Sequence, residues 1–288
     1  MRVLFGNTPA GKEESEFGQF MKSAYVPLLQ RNLDMVKRDD TAITFRFCEW
    51  GYDHMEPSFY RYMDHLASPM VYHAAARAQD EGFDAVVIDC FGDPMLWELR
   101  QVLDIPVVGL GESTMLVSLM MGLKFGIVMI GPYMLPGQEE RMAKYGLKER
   151  CAGMRGSTEP PLSQERALVD ARETIEAFTR TARELIADGA DILIPGCSLI
   201  SPAMRLAPGA EEDYPRGVTE IDGVPIADVL GDTITMAEAL VSLKRAGSSW
   251  ISRKLLYPRP TAEAKQLAKV VTDGGGFKFW DVVPPDRF

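Results

Sequence analysis

The chain has few of the residues that usually build metal and redox centres. Its 288 residues include four cysteines (Cys48, Cys90, Cys151, Cys197) and three histidines (His54, His65, His73). No CxxC pair and no HxxxH spacing occurs, so nothing marks a metal site. Four cysteines in so long a chain do not make a disulfide framework. The histidines fall in a loop and on a helix away from strand ends, which leaves little for a histidine-based catalytic site. Long apolar runs are also missing. The stretch Met115–Met129 is broken by Gly122 and Lys124, short of the roughly 20 residues that span a bilayer. The opening MRVLFGNTPAGKEES lacks the apolar core and cleavage site of a signal peptide, so a cytoplasmic location is expected. Basic charge is in deficit: 31 Lys and Arg against 41 Asp and Glu, a net charge of −10. That balance argues against nucleic acid or an anionic membrane as partner and leaves a small molecule as the expected ligand.

What the chain does have is a phrase written twice. Residues 81–90 read EGFDAVVIDC and residues 188–197 read DGADILIPGC. Each copy runs acidic residue, Gly, any residue, Asp, five more residues, Cys. Each reads as the end of a helix, a turn, a buried strand and a cysteine where the strand stops. Cys90 and Cys197 therefore occupy equivalent places in two similar halves.

The remaining pattern alternates strands and helices. Strands are expected at Val3–Phe5, Ala42–Phe47, Ala85–Ile88, Val107–Gly109, Phe125–Ile130, Ile192–Ile194 and Val224–Ile226, from short apolar or alternating runs. Helices are expected at Glu14–Met35, Ser58–Asp80 (kinked or split at Pro69), Pro94–Val102, Ser113–Gly122, Gln138–Tyr145, Ser163–Asp188 and Asp228–Ala246. This βα order predicts an α/β fold with mainly parallel sheets. The repeat predicts two pseudo-symmetric lobes, each a sheet flanked by helices, with the active site in the cleft between them. The first lobe takes 1–112 plus 224–247 and the second takes 113–223. The segment Pro208–Gly223 reads as a loop able to overhang the cleft. The extension 248–288 carries Trp250, Leu255, Leu256, Phe277, Phe279 and Trp280, too apolar for a disordered tail. It should cover the body or a second subunit, which makes a homo-oligomer the expected assembly.

In open α/β sheets ligands bind beyond the carboxyl ends of the strands, where Cys90, Cys197, Asn7 and the 110–113 turn all fall. Each cysteine precedes an expected helix, whose N-terminal dipole favours thiolate. Two thiols facing one cleft can act as an acid–base pair, one per face of a carbon, with neither metal nor organic cofactor. The competing reading is that strand-end cysteines fill space, and for Cys48 and Cys151 that reading is preferred. Asp93, in FGDP, reads as a helix cap. Glu112 reads as a carboxylate at a helix start. Asp89 should point away from the site by strand alternation. Met115, Met120, Met121, Met129 and Met134 read mostly as core filler, with Met129 and Met134 the ones to test as pocket wall.

The segments EGFDAVVIDCFGDP, Leu99–Arg100, IPVVGLGES, KYGLKERCAGMR, GADILIPGC and GVPIADVLGDTITMAEALVSL resemble the aspartate/glutamate/hydantoin racemase superfamily, and within it the hydantoin racemase branch. The resemblance covers roughly 1–247. It implies cofactor-independent proton transfer at a carbon next to a carbonyl, with Cys90 and Cys197 as the two acid/base groups. It further implies substrate contacts from Asn7 and Thr8 in GNTP, and an oxyanion hole at the backbone of Phe91–Gly92 and Ser198. Where the branch often carries a Thr-Thr pair this chain has Met129 and Ile130, which implies a less polar pocket wall. After Cys197 it has Ser-Leu-Ile rather than a small pair. The same scaffold elsewhere serves decarboxylation of a malonate or cis–trans isomerisation of a dicarboxylate, and a silent small-molecule sensor is a further alternative.

Overall fold

A computed structural model describes residues 1–7, 11–49, 60–157, 164–272 and 278–284. Thr8, His54 and Ser163 lie outside the described residues, as does the side chain of Asn7. Ten strands are present among the described residues: β1 (Arg2–Asn7), β2 (Ala42–Glu49), β3 (Ala85–Asp89), β4 (Val107–Gly109), β5 (Phe125–Met129), β6 (Cys151–Gly156), β7 (Ile192–Pro195), β8 (Glu220–Ile221), β9 (Val224–Pro225) and β10 (Lys278–Val282). They form a five-stranded sheet in the order β10-β2-β1-β3-β4, a three-stranded sheet β6-β5-β7 and a small β8-β9 hairpin. Pairing in the two larger sheets is parallel except for β10, which runs antiparallel to β2. Helices cover the sheets, as parallel strands buried on both faces require. β3, β5 and β7 are buried along their whole length.

The repeated phrase is one device built twice. Gly82 and Gly189 both take positive φ, +80° and +96°, a conformation open to glycine but costly for a residue with a Cβ. Each glycine leads into its strand with the same backbone bond: Phe83 N–H donates to the Ala78 carbonyl and Ala190 N–H to that of Leu185, both at 3.0 Å. Gly189 follows a helix end directly, whereas Gly82 follows turns after a helix that stops at Ala75. The aspartate two residues after each glycine then staples the coming strand to its parallel neighbour. Asp84 accepts from the Arg2 N–H at 2.8 Å, and its own N–H donates to the Arg2 carbonyl at 2.8 Å. Asp191 accepts from the Leu123 and Lys124 N–H groups, each at 2.8 Å, and its N–H donates to the Lys124 carbonyl at 3.0 Å. The staples set β3 beside β1 and β7 beside β5, so both strands end with a cysteine at the same height of their sheets.

Several elements differ from expectation. The first long helix contains a π segment, Met21–Tyr25, between α-helical stretches Glu16–Phe20 and Val26–Asp34. The helix Arg61–Ala75 is a single element through Pro69. β6 was not anticipated, because its sequence CAGMRG has no strand-like alternation. Gly156 at its end meets Pro132 so closely that a Cβ would sit 2.2 Å from the Pro132 nitrogen. Ile226 bridges Leu193 of β7, which puts the 224–226 strand at the second sheet. The helix Val229–Arg245 then runs back onto β3, β4 and the helix Leu110–Met121. The 208–223 segment contains a short helix, Ala210–Asp213, and none of its residues lines the cavity at the strand ends. Arg172 reaches Asp213 at 2.8 Å and Glu212 at 2.7 Å, and Arg183 reaches Asp222 at 2.8 Å.

The C-terminal extension covers the body. Arg253 donates to the Arg100 and Leu103 carbonyls at 2.7 and 2.6 Å. β10 lays Trp280 on Phe47, with ring centroids 4.6 Å apart and the planes stacked. Arg46 holds Asp281 with two hydrogen bonds of 2.8 and 2.9 Å. Trp280 is only 7% exposed. Replacing a buried tryptophan by alanine costs about 3 kcal/mol or more. Trp280→Ala should therefore lower the free energy of urea unfolding by about that amount, whereas a loss under about 1 kcal/mol would mean that the extension merely lies on the sheet.

Candidate active site

The strand ends of both sheets open on one cavity of about 290 Å³. Its wall includes Cys90, Phe91 and Gly92 after β3, and Gly196, Cys197 and Ser198 after β7. Ile130 follows β5 at the same rim. Thus six of the nine residues expected at the site line a single cavity. Asn7 ends β1 in register with Asp89. Met129 does not line the cavity: it is 1% exposed and packs behind the wall, its sulfur 2.3 Å from where a Cβ on Gly196 would stand. Met134 lines the cavity instead.

The two thiols are held alike. The Gly92 N–H donates to the Cys90 sulfur, and the Leu199 N–H donates to the Cys197 sulfur at 3.4 Å. In both cases the donor lies two residues after the cysteine, so the repeat extends to the hydrogen bond on sulfur. The helix Ile200–Leu206 starts three residues after Cys197. Cys90 has no such neighbour, because the helix after it begins only at Leu96. The expected dipole assistance is therefore absent at Cys90. Burial pushes its thiol from an ordinary 9.0 up to about 12, the negative charge of Asp64 adds to this, and the Gly92 N–H and Arg141 oppose it.

Tyr25 ties the two halves together. Its hydroxyl lies 3.0 Å from Ser198 Oγ and donates to Asp89 Oδ2 at 3.3 Å. Asp89 precedes one cysteine and Ser198 follows the other, so one phenol bridges the two copies of the repeat. Asp89 lines the cavity and does not point away as strand alternation suggested. Tyr25 closes the π segment, a feature often found at functional sites and without a mark in the sequence. Arg61, Asp64, Tyr133 and Arg141 complete much of the mouth; none was expected, since each belongs to a helix or turn distant in sequence from the cysteines.

Asp93 caps a helix, but not the one expected. It accepts from the Gly111 and Glu112 N–H groups at 2.9 and 2.7 Å, at the start of Leu110–Met121, and from the Tyr145 hydroxyl at 2.8 Å. The close approach needs Gly111, where a Cβ would lie 2.5 Å from the Phe91 carbonyl oxygen. Burial raises the Asp93 carboxyl to about 6 despite these three donors. Glu112 pairs with Arg100 and takes no part in the cavity.

A family model described as Asp/Glu/hydantoin racemase matches residues 41–229, a span that holds both cysteines. The chain belongs to that family. It is accordingly an isomerase of the racemase kind. This racemase is 29% identical over 198 residues to a hydantoin racemase of Pseudomonas sp. (strain NS671), covering 68% of this chain and 73% of the relative. It is also 29% identical over 179 residues to a hydantoin racemase of Paenarthrobacter aurescens, covering 62% and 68%. Its fold superposes on allantoin racemase from Pseudomonas fluorescens with a TM-score of 0.68 at 25% identity, over 90% of this chain and 97% of that one. Glutamate racemase from Francisella tularensis subsp. tularensis SCHU S4 shares the fold alone, with a TM-score of 0.52 at 11% identity over 94% and 93% of the chains. No helix among the described residues is long and apolar enough to cross a membrane.

Two outcomes follow from the electrostatics. A thiol raised to about 12 stays protonated at neutral pH, so alkylation of Cys90 by iodoacetamide should accelerate about tenfold per pH unit from pH 8 to 11. Peptide mapping would show this; a plateau reached by pH 9 would contradict the buried, neutral thiol. Asp93→Ala strips the acceptor from two helix-start N–H groups and a phenol, and should cost about 2–3 kcal/mol. Denaturant unfolding measures it, and a loss below about 0.5 kcal/mol would show that the cap is dispensable.

Proposed function

We propose that this racemase inverts a carbon next to a carbonyl in a hydantoin-like ring or related amino-acid derivative, by proton transfer between Cys90 and Cys197 without a cofactor. The reading rests on one observation: two cysteines at equivalent strand ends line the same cavity, each with a backbone N–H on its sulfur. In one direction the thiolate of one cysteine takes the proton from carbon, and the C–H electron pair moves onto the carbonyl oxygen as an enolate. The thiol of the other cysteine then protonates the opposite face, and the pair ends with its proton exchanged between sulfurs. The carbonyl supplies the acidity, so the protein's part is to place two groups and hold them in opposite protonation states. Burial and the charge of Asp64 raise the Cys90 thiol, so Cys90 is the partner that holds the proton in the resting pair. The hydantoin racemases matched in sequence and the allantoin racemase matched in fold support a cyclic ureide over a free amino acid.

The test is racemisation in heavy water. Cys90→Ala and Cys197→Ala should each lower racemisation of a 5-substituted hydantoin by at least about 100-fold. Each should retain deuterium exchange for one enantiomer only, and opposite enantiomers in the two variants. Normal racemisation by either variant would end the two-base assignment. The profile of kcat/KM against pH belongs to the pair. The active form has one proton on the pair, and its loss follows the raised Cys90 thiol. Activity should therefore rise from acid pH and show no falling limb below about pH 10. A fall centred near pH 8 would show that Cys90 is not the protonated partner.

A further inference from the structure

The cavity mouth carries one open donor and one open acceptor beside the same cysteine. Arg141, on the helix Leu135–Tyr145, donates through Nε to Gln138 Oε1 at 2.6 Å. Gln138 is fully buried, so this bond sets the plane of the guanidinium. A Cβ on Gly92 would stand 3.6 Å from both Nη1 and Nη2, which places the terminal nitrogens against the Cys90–Gly92 turn. Among the described residues, neither terminal nitrogen has a hydrogen-bond or ion-pair partner. Asp64, on the helix Arg61–Ala75, lines the same mouth. Its carboxylate also takes no hydrogen bond and forms no ion pair among the described residues, although the charges of Arg141, Arg61 and His65 act on it from nearby. Arg61 is not available to it, being engaged with Glu140 through two bonds of 2.8 and 2.9 Å. Asp64 and Arg141 both act on the Cys90 sulfur, with opposite signs. Both thus lie near the Cys90 sulfur, with no hydrogen bond or ion pair between them.

We propose that Asp64 and Arg141 are a specificity pair that selects a substrate whose ring substituent ends in a primary amide or urea. Arg141 donates to the substituent's carbonyl oxygen and Asp64 accepts from its N–H. The proposal rests on the racemase reading above and adds the class of substituent. A hydrocarbon substituent would take water from both charges and return no hydrogen bond, which is costly. A carboxylate would satisfy Arg141 but face Asp64 with like charge. An amide or urea satisfies both groups, and sites built to hydrogen-bond a substrate reject analogues that leave those groups unpaired.

Three hydantoins of nearly equal size separate these cases, with carbamoylmethyl, isobutyl or carboxymethyl at C5. Racemisation and deuterium exchange are followed for each. The wild type should favour carbamoylmethyl over isobutyl in kcat/KM by about 100-fold or more. Arg141→Met and Asp64→Asn should each shrink that ratio by about 10- to 100-fold, chiefly through KM, with Arg141→Lys retaining more of it than Arg141→Met. Asp64→Asn should also raise carboxymethyl relative to isobutyl, which a merely structural role for Asp64 would not do. Equal losses on carbamoylmethyl and isobutyl would overturn the proposal, because the pair would then act on the reacting centre and not on the substituent. A wild type that prefers isobutyl, with exchange dependent on both cysteines, would overturn it and leave the racemase reading intact. Absence of exchange with all three would overturn both.

Discussion

The structure depends on a side chain–backbone staple used twice. Asp84 and Asp191 each reach the backbone N–H at the start of the neighbouring parallel strand. A parallel pair has no tight turn to fix its register, so the offset between strands must be set by other contacts. Here a carboxylate just before the strand does it, with a positive-φ glycine two residues upstream to turn the chain into the strand. Once these are set, β3 and β7 deliver a cysteine at a fixed height. The i+2 amide on each sulfur follows from the chain turning in the same way after each strand. The site is therefore a product of backbone geometry first and side-chain chemistry second.

The two copies of the repeat differ in what surrounds each sulfur. Cys197 has a helix start three residues on, while Cys90 has neither that helix nor a distance from negative charge: Asp64 raises it further. Tyr25 spans the two halves through Asp89 and Ser198 and keeps the two turns in a fixed relation. Its position comes from a π segment in a helix outside the repeat, so an irregular element unites the two regular ones.

Much of this was legible in the sequence because it is local. The duplicated phrase encodes its own glycine, aspartate, strand and cysteine within ten residues, and period-two or continuous apolar runs mark most of the strands. Six of the nine expected site residues follow directly from those strand ends. What was not legible comes from elements brought together across the chain. Asp64 and Arg141 look like ordinary solvated helix charges until two helices meet at one mouth. Asp93 was legible as a cap but not its target, since Gly111 lies 18 residues away. Asp89 departs from strand alternation because it is the last residue of β3, next to the turn that carries Cys90. β6 was invisible because a glycine-containing edge strand carries little pattern of its own.

β10 has a consequence outside catalysis. β2 is an eight-residue strand with an apolar, mostly buried sequence, and on the side away from β1 its backbone is taken by β10. A bare strand of that length would be a template for another chain. The extension closes it and presents in its place a short strand bearing Lys278 and Asp281, with Arg46 and Asp281 clasped across the seam. A segment beyond the span matched by the family model thus occupies the sheet edge that β2 would otherwise offer to another chain.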